Sequence, residues 1–167
     1  MNIRKAATFV FVTVLAVVMV GCSPDKTEAV AEKIASFSIP AGYEAEFGVS
    51  LDGYDIASYT RGDGHSHLYL IQAPDSVVTQ EELEEKLNQA PSYSRSNRQV
   101  VIEKRTLTVR GQEVTALIHE GTNSEGGTYR QITVGFQGKN GAALLAMEEP
   151  VSSWNLDEVI KFVESLQ

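Results

Sequence analysis

The sequence predicts an α+β domain, a single mostly antiparallel β-sheet with helices packed on its faces. Three observations carry that expectation. Tyr43, Ala45, Phe47, Val49 and Leu51 alternate with Glu44, Glu46, Gly48 and Ser50, the period-two pattern of a strand with one wet face. A helical pattern over residues 79–90 is flanked on both sides by short strand-like runs with glycine-rich turns, an order that suits an α/β sandwich. Leu156, Val159, Ile160, Val163 and Leu166 form the apolar stripe of a further amphipathic helix.

In chain order, residues 25–35 are polar, with Val30 and Ile34 one helical turn apart, so they read as a short helix or as a tether. Pro40 and Gly42 punctuate the approach to the first strand, residues 43–51. Asp52-Gly53 is hairpin chemistry, and residues 54–60 and 66–73 read as strands about a glycine-rich turn at 61–64. The helix at 79–90 starts clearly: Thr79 and Glu82 have capping-box spacing and Val78 is placed to staple onto Leu83. Leu83, Leu87 and Ala90 give it a narrow apolar stripe, and Pro91 stops it. Residues 98–109, 113–120 and 128–137 read as strands, the first two joined through Arg110-Gly111-Gln112 and the third followed by the hairpin signal Asn140-Gly141. Residues 142–147 are apolar on both faces, as expected in the middle of a sheet covered on both sides. Asn155 and Glu158 repeat the capping-box spacing ahead of the helix at 156–166, where Trp154 is placed to staple onto Val159.

The 167 residues carry a formal net charge of −8 and one cysteine. One cysteine forms no internal disulfide and no cysteine metal cluster, and the acidic balance argues against a nucleic-acid partner. Arg4 and Lys5 precede an apolar run of about 15 residues, Ala6 onward to Val20, too short for a bilayer-spanning helix but suited to a secretory signal. Met19-Val20-Gly21-Cys22 resembles the lipobox of bacterial lipoproteins. The resemblance implies cleavage before Cys22, acylation of its thiol and amine, and a membrane partner through that lipid. Ser23, in place of the aspartate that marks inner-membrane retention, favours the outer membrane facing the periplasm. The expected organisation is a signal peptide at 1–21, a lipid-anchored tether or short helix at 22–36, and a globular α/β domain at 37–167. Loss of residues 1–21 removes two basic residues and no acids, leaving 12 basic against 22 acidic residues.

The lead-in Phe37-Ser38-Ile39-Pro40-Ala41-Gly42-Tyr43 is similar to the start of Mog1/PsbP-like domains. So is the close, where the apolar strand at 142–147 leads through Pro150 and Trp154 to a helix ending Val163-Glu164-Ser165-Leu166. The likeness spans residues 37–167 and implies an α/β sandwich of accessory or binding proteins. It carries no shared catalytic set.

The residues richest in chemistry are Asp63-Gly64-His65-Ser66-His67. If a strand begins by His65, both imidazoles point to one face; Asp63 is then a third metal ligand and His119 a fourth. The other reading is two turn-side histidines in a polar hairpin. Asp52, Asp55 and Asp63 lack calcium-loop spacing. No nucleophile elbow, phosphate loop or dinucleotide fingerprint occurs in the sequence, so neither a cofactor nor catalysis is expected. Arg95, Arg98, Lys104, Arg105 and Arg110 oppose in sign the acids around Glu81 and Glu85, marking a partner surface or an internal charge balance. Tyr54, Tyr59, Tyr93 and Tyr129 line a groove or complete the core. The expected function is a lipid-anchored envelope lipoprotein that serves an envelope protein or complex as a non-catalytic binding module. The alternative is a small-ligand or metal-binding lipoprotein using Asp63, His65 and His67.

Overall fold

A computed structural model describes residues 23–62, 64–74, 78–88, 96–123 and 126–167, of which 87, 88, 96–99 and 123 are described by their backbone alone. The expected signal peptide, Cys22, Asp63, Pro91, Tyr93 and Arg95 lie outside the described residues. The elements are α1 (Pro24–Ile34), β1 (Tyr43–Leu51), β2 (Tyr54–Arg61), β3 (His67–Gln72), α2 (Gln80–Asn88), β4 (Ser96–Val109), β5 (Gln112–Asn123), β6 (Thr128–Gln137), β7 (Ala142–Pro150) and α3 (Leu156–Glu164). The strands form one seven-stranded sheet in the order β1-β2-β3-β7-β6-β5-β4, with every neighbouring pair antiparallel. The α+β class expected from the sequence is present.

Local chemistry accounts for most boundaries. Asp52 and Gly53 have φ of 52° and 82°, and Arg110 and Gly111 have φ of 51° and 77°. Two successive left-handed residues match the twist of the flanking strands and close both hairpins tightly. At α2 the capping box is reciprocal: Thr79 N–H donates to Glu82 Oε2 (2.8 Å) and Glu82 N–H to Thr79 Oγ1 (3.2 Å). At α3 only the forward half is made, Glu158 N–H donating to Asn155 Oδ1 at 3.4 Å. The turn at Asn140-Gly141 is wider than its dipeptide suggests. The β6–β7 loop spans residues 138–141, closed by Gly138 N–H donating to Gly141 O (2.9 Å). Asn140 is drawn outward, donating through its backbone to Gln72 Oε1 (3.0 Å) and through its side chain to Lys33 O (3.0 Å).

The sheet buries two unequal faces. On the larger, Tyr59, Leu68, Leu70, Ile118, Ile132, Val134, Leu145 and Met147 pack beneath α1 and α3. On the smaller, Tyr69, Ile71, Leu144 and Ala146 pack against Leu83 of α2. β7, covered on both faces as its composition predicts, lies in the middle of the sheet. Of the alternatives for residues 22–36, Pro24–Ile34 is a helix: Val30, Ala31 and Ile34 belong to the main core, and Thr27 is buried against Gly48 of β1. Tyr59 and Tyr129 are buried, and Tyr54 is half-buried beside the smaller cluster.

Candidate functional site

Polar side chains collect where the smaller face runs beyond Leu83. The registers align Thr60 with His67, His67 with Glu148, Glu148 with Gln131, Gln131 with His119, and His119 with Val101. One transverse row of a single face therefore crosses six strands. In the next row, Ser58 and Thr133 lie opposite Tyr69 and Ala146. His67, Glu148, Gln131, Ser58 and Thr133 are all buried. The bulge between Ala45 and Phe47 brings Glu46 into this group. Ser58 Oγ donates to Glu46 Oε2 at 2.6 Å, and His67 Nδ1 lies 3.9 Å from the same oxygen, while the His67 ring stacks on Tyr69. Here the carboxylate stands between serine and histidine. In a nucleophile relay the imidazole must stand between hydroxyl and carboxylate, so this arrangement orients buried polar groups and does not activate Ser58.

The sequence-predicted residues are only partly drawn together. β3 begins at His67, so His65 lies in the preceding turn, exposed, and the shared strand face expected for the two imidazoles is not formed. His119 is separated from His67 by β7 and β6, about 14 Å at ordinary strand spacing. Metal–ligand bonds are about 2 Å long, so His119 is no fourth ligand to an ion held by His67. Among the described residues no three His, Cys, Asp or Glu side chains are grouped to hold a metal ion. Glu148 and Glu149 were missed because the apolar run ends at Met147, yet the strand continues through both. Because successive strand residues point to opposite faces, this continuation puts one acid on each buried face.

His119 Nε2 lies 3.1 Å from Thr133 Oγ1. Burial holds this imidazole below its ordinary value of 6.5, while Glu84 of α2 opposes the shift. The fold therefore prefers neutral His119. As pH falls through 6.5 the unfolded chain takes up the proton first, and stability declines until the lower folded value is passed. We expect the thermal midpoint to fall between pH 7 and the lower folded value, and His119→Gln to flatten that decline; an unchanged slope would assign it to other groups.

A second surface lies at the β4 edge, unpaired among the described residues. Val100, Val101 and Ile102 of β4 are 62%, 47% and 46% exposed, although three successive strand residues ordinarily divide between a covered and an open face. Register shifts between Asn97 and Val100 and between Val101 and Glu103 bracket them, and bulges of this kind re-aim side chains at sheet edges. Exposed Lys104, Arg105 and Arg110 follow, with Glu103 paired to Arg105.

On the larger face, near the start of α3, Glu149 is buried. Tyr43 Oη donates to Glu149 Oε1 (2.8 Å) and Arg61 Nη2 pairs with the same oxygen (3.1 Å), its guanidinium 4.9 Å from the Tyr43 ring centre.

Compared with protein-family models and with curated proteins, the chain matches none of them. Among the described residues no helix is long and apolar enough to cross a membrane.

Proposed function

We propose that this chain is a lipid-anchored envelope lipoprotein, held to the outer membrane through acylated Cys22 and facing the periplasm. It acts as a non-catalytic binding module with a Mog1/PsbP-like domain. The observation that carries this reading is the exposed apolar run Val100-Val101-Ile102, continuous with Lys104 and Arg105 on an edge strand. Contiguous exposed apolar residues rimmed by charge are the usual mark of a protein-binding surface. Local positive charge in a chain of net −8 suits an acidic partner. Placement supports it as well. An anchor at Cys22 would be one residue from α1, whose first turn lies against Gly48 of β1. β4 is the opposite edge, six strand steps away, or about 29 Å. The apolar edge would then stand clear of the bilayer.

A photo-reactive probe at Val101 of the full acylated chain, in its native envelope, is expected to give one dominant protein adduct. Val100→Ser with Ile102→Ser should weaken that adduct about tenfold, the scale of losing one interface anchor. Labelling no different from that of a probe at exposed Glu85 would remove the β4 surface. Separately, Cys22→Ala should abolish detergent-phase partitioning; unchanged partitioning would remove the lipid anchor and leave the partner reading standing.

A further inference from the structure

We infer that the cleft between α1 and the segment leading into β1 binds an organic cation carried on an apolar stem, an alkylammonium or a guanidinium. The cleft holds about 250 Å³ and is lined by Glu28, Ala31, Glu32, Phe37, Ile39 and Tyr59. Its floor is aromatic: the Phe37 and Tyr59 rings meet edge to face at 6.0 Å, and Phe37 meets Phe162 at 5.8 Å. Its rim is acidic, with Glu28 and Glu32 one turn apart on α1. Like charges at this spacing weaken a helix, so helix formation does not explain them. Glu32 is already engaged, by Lys139 Nζ at 3.1 Å and Ser36 Oγ at 3.1 Å. Glu28 makes no hydrogen bond or ion pair among the described residues.

An independent observation lies beneath that rim. Tyr59 is 1% exposed, and its hydroxyl makes no hydrogen bond to the described residues yet is not shut off from solvent, so the accessible part of this residue opens on the cleft it lines. Burial, then the charges of Glu28 and Glu32, push the Tyr59 hydroxyl up to about 12, which puts the hydroxyl within the field of the two carboxylates that line the cleft. A cation on an apolar stem meets each feature at once. The stem packs on Ala31, Ile39 and the rings, the charge neutralises Glu28, and one N–H reaches a lone pair of Tyr59 Oη. An inorganic divalent ion fits poorly, since it requires six or more oxygens and leaves the aromatic floor unused. The site lies at the α1 side of the sheet, away from β4, and does not depend on the partner reading above.

The test is calorimetric titration of the full chain in non-ionic detergent with three probes: N-acetyl-arginine methylamide, N-acetyl-lysine methylamide and putrescine. Saturable binding is expected, weakened about tenfold by Glu28→Gln and several-fold by Tyr59→Phe, as befits hydrogen bonds to a charged group. Glu81→Gln, which removes one acid elsewhere, should leave it unchanged, and neutral N-acetyl-norleucine methylamide should not bind. Tighter binding of the blocked amino acids assigns the cleft to a protein side chain; tighter binding of putrescine assigns it to a free diamine. Absence of saturation by roughly 10 mM, or equal binding by wild type and Glu28→Gln, overturns the proposal. Exposed Glu28 can be changed without disturbing the core, so this variant decides the matter even if Tyr59→Phe fails to fold.

Discussion

Gly48→Ala is expected to lower the stability of the chain by about 3 kcal/mol, the upper part of the usual range for overpacking. A Cβ at this position would stand 2.5 Å from the Thr27 Cα, 3.0 Å from the Thr27 N and 3.1 Å from the Lys26 O. All three are backbone atoms, so no side chain can turn aside to make room. Either α1 lifts from β1 or the strand bends, and both open the core around Val30, Ala31 and Ile34. Urea denaturation measures the loss. Amide exchange should place the opening in α1, because a helix prised from its sheet exchanges before the central strands do. Gly62→Ala is the matched control: nothing lies within 4 Å of its Cβ position, so a change within about 0.5 kcal/mol is expected. Equal stability of Gly48→Ala and Gly62→Ala would mean that α1 is not seated on β1 as described. In the anchored reading this contact also matters for function, because among the described residues α1 is the element that leads from the Cys22 side to the sheet. Loosening it would lengthen the leash and blur the position of the β4 edge.

Arg61→Ala is expected to cost about 3 kcal/mol, the lower end of the range for breaking a buried ion pair. The Glu149 side chain is 3% exposed while that of Arg61 is 31% exposed, so water already screens part of the attraction and the top of the range does not apply. The loss comes mainly from what stays behind: a carboxylate shut in the interior that keeps Tyr43 Oη and loses the Arg61 guanidinium. Arg61→Lys should recover only part of it, because an ammonium lacks the planar group that lies over the Tyr43 ring. Adding Glu149→Gln to Arg61→Ala should restore stability relative to Arg61→Ala alone, since the buried charge that Arg61 offset is then removed. A double variant less stable than Arg61→Ala would show that the Glu149 carboxylate is held mainly by groups other than Arg61.

Both predictions concern contacts that no stretch of sequence announces. Tyr43 and Glu149 are 106 residues apart in the chain. Gly48 reads locally as one polar-face residue of an alternating strand, and its need to be glycine comes from a helix that precedes it by some 20 residues. The polar row from Thr60 to His119 is likewise assembled from five strands through their registers. His119 shows the limit most clearly. Its identity marks it as a possible ligand, but only the strand order puts β7 and β6 between it and His67.

The α+β class, both helix starts with capping-box spacing, the hairpins at Asp52-Gly53 and Arg110-Gly111, and the central place of the apolar strand β7 were all determined by the sequence itself. Each depends on the periodicity, capping or turn preference of a few consecutive residues, which act before any distant contact forms. The tertiary structure alone decided the strand order, the continuation of β7 through Glu148 and Glu149, the exposure of Val100, Val101 and Ile102, and the cleft over Tyr59. Whether a side chain is covered, paired or left open depends on which distant element packs over it. That choice is made by the burial of the whole sheet rather than by any one segment.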